Sequence, residues 1–451
     1  ADALSKRRTL ADHSVYREFR ALGETEFVGY TELETHSRVL GILVDGVSVD
    51  RAGEGQIAEI ILAETTLYAE AGGQAADKGL IVGPGFELEV LDVQKPVPGL
   101  VSHMVQVIAG EVAVDAAATT VVDASNRRGA TQAHSGTHIV HAAIHEILGK
   151  SANQSGSFNK AGYLRLDFSW SEALSAETRS EIEEVANNAV RENFAVTTRV
   201  LPIAEAKELG AMALFGEKYG DTVRMVDIGG PWSRELCAGT HVGSTAEIGL
   251  ISVVGEQSVG ASNRRIESLV GMEAFRELAA ERAIVSTLTS SLKTPREQLP
   301  QRIAELSANL RAAEKKIAAF EARALMERVP VLAAGAARAG GVALVAESLG
   351  TVGSADDLRS LVLGVRDKLG TEPAVVALGA VVGERPVVIV ATNEAARGRG
   401  AKAGALAKGA AGVLGGGGGG RDDVAQGGGT DASKLVEALA SVAQGLAATS
   451  A

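Results

Sequence analysis

The sequence predicts three architectures in succession: an α+β region carrying a small β-barrel, then a helical coiled coil, then a small α/β domain. Three observations predict this. Short alternating apolar runs, separated by Gly, Pro and Asp turns, fill residues 24–122, the pattern of half-buried strands closing into a barrel. From Asp123 helical periods alternate with strand-like runs. After Leu299 the apolar and alanine residues fall on a strict 4-3 spacing. The length of 451 residues accommodates about three domains at roughly 150 residues each.

Residues 1–23 read as the end of a linker helix. The barrel of residues 24–122 is carried by RVLGILVD, IAEIILAET, FELEVLDV and LVSHMVQVI. Residues 123–270 open with the helix ASNRRGATQAHSGTHIVHAAIHEILG, for which Ser125 or Asn126 is the expected N-cap and Gly149 the stop. The strands and helices that follow it (YLRLDFSW, SAETRSEIEEVANNAVRENF, AVTTRVLP, IAEAKELG, TVRMVDIG, GLISVVGEQ, RRIESLVG) imply helices against a largely antiparallel sheet. In residues 271–329 the seam is Leu299, Ile303, Leu306, Leu310, Ala313, Ile317, Phe320 and Ala324. Pro295 and Pro300 interrupt this stretch, and MEAFRELAAERAIVSTLTSSL is the expected antiparallel partner across the turn. Such a seam serves a helical spacer or a dimer interface equally well. Residues 330–451 alternate VALVAES, AVVALGAVV and PVVIVAT with helical runs, which predicts the α/β domain.

Composition narrows the function. A net charge of −12 argues against wholesale coating of nucleic acid but permits a local basic patch. Cys237 is the sole cysteine, which excludes a disulfide within the chain and fits a reducing cytoplasm. No apolar run approaches the ~18 residues of a membrane span, and ADALSKRRTL has no secretory apolar core. The start at Ala1, in a charged helix-like run, reads as a piece of a longer protein, with removal of an initiator Met the ordinary alternative.

The strongest chemical signal has two halves. His134 and His138 in HSGTH stand at i and i+4, so both imidazoles share one helix face. Cys237 and His241 in CAGTH lie in a glycine-containing turn, where Gly239 leaves room for a tight bend. Three imidazoles and a thiolate suit one Zn²⁺ per chain. His141 and His145 continue the helical face, and read as groups behind the ligands or at the surface. HSGTH lacks the Glu of zinc peptidases, and there is no Cys-x-x-Cys of the zinc deaminases. A four-ligand ion would be closed and structural, or would exchange a ligand for substrate.

These motifs resemble the C-terminal half of the alanyl-tRNA synthetase family. HSGTHIVHAAIHEILG and ELCAGTHV match the zinc-binding motifs of its editing domain, AETTLYAEAGGQAADKG its glycine-rich barrel segment, SANQSGSF a segment with a glutamine implicated in editing, and GGGGGGRDDVAQGGGTDASKLVEAL its C-terminal tRNA-binding domain. The resemblance implies an α+β editing region, a coiled-coil spacer and a tRNA-binding, dimerising domain. The implied activity is hydrolysis of mischarged Ser-tRNA(Ala) and Gly-tRNA(Ala). Gln154 and Thr137 are then the expected catalytic residues. Cys237 is a ligand or, in the less favoured reading, a nucleophile. Nothing here resembles the ATP-binding motifs of the synthetase core, so ATP and Mg²⁺ would belong to a half this sequence does not contain. The departures are CAGTH for the common CGGTH, and HSGTH for HTATH; all ligands are kept. The alternatives are a free-standing trans-editing deacylase and a non-catalytic, zinc-stabilised RNA-binding module.

Gly72, Gly73 and Gln74 form a Gly-Gly-Gln tripeptide, read as a strand-to-strand turn with a substrate-shaping role implied by the resemblance. Residues 395–421 hold Arg397, Arg399, Lys402, Lys408 and Arg421 and no acidic residue. Glycines 415–420 would let backbone N–H groups approach a phosphate, so the run is read as a tRNA contact. Arg264 and Arg265 are read either as acceptor-stem contacts or as ordinary surface charge.

Overall fold

In the computed structural model the alternating runs close on themselves. Six strands, β1 (Glu34–Val44), β2 (Ile57–Leu62), β3 (Gly79–Gly83), β4 (Phe86–Val97), β5 (Leu100–Ala113) and β6 (Ala117–Val122), pair in the order β6-β3-β4-β5-β2-β1. β1 then returns to β6, with Arg38 opposite Ala117 and Glu34 opposite Val121. Closure leaves these six strands no free edge, and branched aliphatics such as Val39, Ile42, Ile60, Ile81, Leu88 and Val105 fill the interior. β3 and β6 are the strands the sequence pattern did not single out; β3 is five residues long with a glycine at each end.

The structure describes residues 13–213 and 219–449, and the chain forms two units, Ala1–Thr287 and Leu288–Ala451. Of the helix expected over residues 1–23, His13–Leu22 (α1) is helical and residues 1–12 lie outside the described residues. Tyr16 and Phe19 of α1 bury against Leu40, Leu43, Ile61 and Leu100 of the barrel wall.

Below the barrel runs α2 (Ala124–Leu148). Its cap is Asp123 rather than Ser125 or Asn126: the carboxylate accepts from both of their backbone N–H groups, at 2.9 and 3.0 Å. A carboxylate there also faces the positive end of the helix dipole. Gly149, at φ +95°, stops the helix as expected. The helix packs on the antiparallel sheet β7-β8-β13-β12, formed by β7 (Gln154–Lys160), β8 (Tyr163–Ser169), β12 (Ile251–Gly260) and β13 (Asn263–Val270). Helix α3 (Ala176–Arg191) packs against α2. A second sheet orders β9 (Val196–Pro202), β10 (Thr222–Ile228) and β11 (Ser233–Leu236). The joint between barrel and α2 is the buried Arg127, which donates to the carbonyls of Gly29 and Thr66 and to the Asp77 carboxylate. Asp77 also accepts the Tyr68 N–H at 2.7 Å, so residues 68–77 are pinned over the helix.

Helix α4 (Gly271–Leu292) follows β13. In the second unit, α5 (Leu299–Met326) carries the 4-3 seam. Pro300 opens this helix instead of breaking it, because the first turn needs no N–H from that position. Ile303, Leu306, Leu310, Ile317 and Phe320 are exposed along α5. The α/β domain is one mixed sheet. Its order is Ala337–Ala339, β14 (Val342–Thr351), β15 (Ala374–Val382), β16 (Arg385–Thr392), β18 (Val424–Gly428) and β17 (Gly417–Gly420). β14 and β15 are parallel, linked through α6 (Ala355–Lys368); the other pairs are antiparallel. α6 covers one face, and α7 (Ala403–Val413) with α8 (Leu435–Thr449) covers the other. Four of the six glycines of residues 415–420 form the strand β17. A Cβ on Gly418 or Gly427 would crowd the Ala407 carbonyl of α7, so glycine lets this hairpin lie directly on the helix. Among the described residues no helix is long and apolar enough to cross a membrane.

Candidate metal centre

His134 and His138 project from the middle of α2, where the helix is buried on all sides. Cys237 and His241 come from the turn that leaves β11. One ligand atom from each of these four residues lies within 4.8 Å of the others. The ring centroids of the three histidines are 4.6–5.3 Å apart, and Cys237 Sγ is 3.2 Å from His134 Nε2. The two halves read from the sequence therefore meet.

The turn is held by residues that no sequence pattern flagged. Arg224 on β10 donates to the carbonyls of Cys237 (3.0 Å) and Gly239 (2.8 Å), and its guanidinium stacks on the Tyr30 ring at 4.4 Å. The Tyr30 hydroxyl donates to the Ala238 carbonyl at 2.7 Å. Three successive carbonyls are thereby fixed, and the Gly239 N–H is aimed at Cys237 Sγ at 3.4 Å. Gly239 is needed for a reason other than the bend. Its backbone lies against the His134 imidazole, and any Cβ would overlap that ring. Ala238 is exposed, so its extra methyl is accommodated.

Each ligand imidazole has its Nδ1 engaged. His134 Nδ1 is 2.8 Å from Gln74 Oε1, His138 Nδ1 is 2.9 Å from Glu235 Oε2, and His241 Nδ1 is 3.1 Å from Ser135 Oγ. A buried carboxylate accepts only, so His138 Nδ1 carries a proton and Nε2 is the nitrogen left for a ligand. The Nε2 atoms of His138 and His241 are buried without a hydrogen-bond partner. Unpartnered ring nitrogens beside a thiol are costly in an empty interior, and a bound cation would satisfy them. The donor set therefore fits a metal ion.

The charged groups of the cluster shift one another strongly. Burial disfavours the thiolate, but His134 and His241 outweigh it and pull the Cys237 thiol well below its ordinary value. Burial likewise works against the charged forms of His138 and Glu235. Their pairing overcomes it, raising His138 to about 10 and holding the Glu235 carboxyl below the usual carboxylate range. Burial pushes His241 down to about 3.

The residues expected to work on substrate border this centre. A cavity of about 220 Å³ is lined by His134, His138, Cys237, Thr137, Gln154 and Gly72, among others. Thr137 Oγ1 lies 3.0 Å from the Ala133 carbonyl and also touches Asn159. Glu235 grips His141 Nδ1 with its second oxygen at 2.9 Å, and His141 Nε2 accepts the Gln154 N–H at 3.2 Å. His141 thus links the ligand His138 to Gln154. Gly72 and Gly73 form the expected turn, whereas the Gln74 side chain is fully buried and faces inward.

The basic residues are elsewhere and differ among themselves. Arg264 pairs with Glu256, and Arg265 is bidentate to Asp167 at 2.6 and 2.8 Å. Arg397 and Arg399 donate to the carbonyls of Thr392 and Gly341. Lys402 and Arg421 make exposed pairs with Asp422 (3.4 Å) and Asp423 (3.2 Å), and Lys408 is exposed.

Three family models match the chain: tRNA synthetases class II (A) over residues 2–126, the threonyl and alanyl tRNA synthetase second additional domain over residues 223–267, and the DHHA1 domain over residues 341–448. The second contains β11 and the Cys237–His241 turn. The alanine–tRNA ligase of Leifsonia xyli subsp. xyli is 67% identical over 442 residues, covering 98% of this chain and 50% of that protein. That of Clavibacter michiganensis subsp. michiganensis is 68% identical over 447 residues, with 99% and 50% covered. The crystal structure of the C-Ala domain from Aquifex aeolicus alanyl-tRNA synthetase is matched at 27% identity over 25% of this chain and 97% of that one, with a TM-score of 0.23. The chain spans about half the length of the curated relatives it matches. It belongs to the alanyl-tRNA synthetase family and corresponds to the C-terminal half of its members.

Proposed function

We propose that this chain performs hydrolytic editing for alanine–tRNA ligase in the cytoplasm, cleaving the ester of Ser-tRNA(Ala) and Gly-tRNA(Ala). The chemistry makes such a step necessary. One methylene in an apolar pocket is worth only about 1–3 kcal/mol, and an added hydroxyl is rejected little better, so an alanine-sized site passes both errors. The supporting observation is the cavity of about 220 Å³ in which His134, His138 and Cys237, three of the four clustered donors, meet Thr137 and Gln154.

His134, His138, Cys237 and His241 would hold Zn²⁺, which when bound polarises a carbonyl or water oxygen as a Lewis acid. Thr137 lies one residue from His138 and meets the side chain of the misattached amino acid, where a seryl hydroxyl differs from a methyl. Gln154 is anchored through its backbone by His141, and its Nε2 is 3.3 Å from Ser157 Oγ, leaving Oε1 to orient water against the ester. An aminoacyl ester is already activated, so positioning replaces a strong base. Arg397, Arg399, Lys402, Lys408 and Arg421 supply contacts to tRNA phosphates.

The test is deacylation of Ser-, Gly- and Ala-charged tRNA(Ala) by the chain, with circular dichroism recorded before and after chelation. Release of serine and glycine but not alanine is expected. A second reading has its own support: four convergent donors form a closed tetrahedral set. A folded, metal-loaded chain that left Ser-tRNA(Ala) intact would establish a zinc-stabilised RNA-binding module instead.

A further inference from the structure

We infer that Gln74 is a positioning residue of the metal centre: its carboxamide holds His134 in the one tautomer able to ligate, and so makes the Gly-Gly-Gln loop of the barrel a structural part of that centre. The inference rests on the metal reading above. Its argument begins at Thr240, whose backbone N–H is an obligate donor 2.9 Å from one terminal atom of Gln74. That atom must be the oxygen, which settles the amide orientation. The same oxygen is 2.8 Å from His134 Nδ1, so Nδ1 carries the hydrogen and Nε2 is the nitrogen turned to Cys237 Sγ. Gln74 Nε2 then donates to Thr240 Oγ1 at 2.8 Å. One fully buried side chain thereby ties α2, which carries His134, to the residue adjoining His241.

The loop is built to deliver this group. Gly72 and Gly73 have φ of +58° and +78°, conformations open to glycine. Ala71 and Gln74 exchange backbone hydrogen bonds at 3.3 and 3.0 Å. Asn159 of β7 donates its N–H to the Gly73 carbonyl at 2.7 Å and accepts from the Ala75 N–H at 2.8 Å. A Cβ on Gly73 would collide with Ser157, so the loop lies flush on the strand. Nothing in this arrangement leaves the Gln74 carboxamide free to reach an RNA ester.

Three substitutions in the full chain test the assignment, with Zn²⁺ affinity read by competition with a chromophoric chelator. Gln74→Met keeps the shape and removes both hydrogen-bonding groups. Gln74→Asn keeps the amide but falls short of His134. Gln74→Glu restores an acceptor for His134 Nδ1 and Thr240 N–H. Loss of such an outer partner typically weakens a metal site about 10–100-fold, which is the fall expected for Met and Asn. Glu should stay within about threefold of the parent chain. Co²⁺ loading gives a second readout: the tetrahedral visible bands should weaken in Gln74→Met and return in Gln74→Glu. A loop that merely plugs the interior predicts the opposite order, with the buried carboxylate worst and Met mildest. That order, or parental affinity in Gln74→Asn or a folded Gln74→Met, overturns the inference alone. A parent chain that takes up neither Zn²⁺ nor Co²⁺ overturns the metal reading with it.

Discussion

The barrel and the α2 region both bury histidine completely and put it to opposite uses. His103 on β5 is fully enclosed, with Nδ1 2.9 Å from the Ile60 carbonyl and Nε2 2.8 Å from Thr65 Oγ1. Both ring nitrogens are satisfied by neutral groups. Burial therefore dominates, and His103 is driven down to about 4 and stays neutral. In the α2 region the three clustered imidazoles each have Nδ1 engaged, His134 Nε2 meets only Cys237 Sγ, and the Nε2 atoms of His138 and His241 have no partner. Burial alone thus says nothing about function. What separates His103 from the clustered histidines is that neutral oxygens already use both of its nitrogens, whereas theirs converge on a thiol and on one another.

The largest effect should come from filling the space against His134. Four-ligand zinc sites are worth about 10–16 kcal/mol, so losing one ligand should weaken binding on the order of a thousandfold. Gly239→Ala places a methyl on the His134 ring and should produce that loss in a Zn²⁺ competition titration. Ala238→Gly, at the exposed neighbouring position, should leave affinity unchanged. Equal behaviour of the two variants would mean that the turn and the helix do not meet as described.

The barrel histidine sharpens the comparison through pH. Its value is near 6.5 when unfolded and about 4 in the fold, so between those values the unfolded chain binds more protons. The stability it contributes is complete above about pH 6.5 and is lost as pH falls toward 4, a change of roughly 3 kcal/mol. Hydrogen exchange of the β2 and β5 amides should show that decline, and His103→Gln should flatten it. A pH-independent barrel would show that His103 is not held neutral.

The same logic explains what was legible beforehand. HSGTH and CAGTH declared themselves because each ligand pair is local, one helical turn or one tight turn apart. The groups that orient them are not local. Gln74 lies 60 residues from His134, Glu235 is 94 from His141, and Tyr30 is 208 from Ala238. Single polar residues at such separations have no period to betray them. Gly239 was visible as a glycine, but its reason, contact with a ring from another segment, was not. The barrel was readable from four of its six strands. The Gly417–Gly420 strand was hidden because glycine carries no side chain to alternate, and Asp123 was passed over for the hydroxyl and amide beside it. The 4-3 seam announced a long helix, α5, on which Leu299 is buried while Ile303, Leu306, Leu310, Ile317 and Phe320 are exposed.

Counting satisfied groups extends to the arginines and gives the smallest predicted effect. The basic run of residues 395–421 is followed at once by Asp422 and Asp423, which take up Lys402 and Arg421. Those pairs are exposed, the Arg421 side chain being 83% accessible, and exposed pairs are worth only about 0–1 kcal/mol. A phosphate can therefore take Arg421 at little cost. Arg265 is bidentate to its cross-strand neighbour Asp167 and only 23% accessible, so diverting it would break a better pair. Arg421→Ala should weaken tRNA binding severalfold and lower the slope of log K against log salt by about 0.7–0.9, one phosphate contact. Arg265→Ala should leave that slope unchanged and cost about 1 kcal/mol of stability. If the slope fell for Arg265 and not for Arg421, the RNA track would run along the β7-β8-β13-β12 sheet beside the metal centre, and the C-terminal basic run would be a solvated surface.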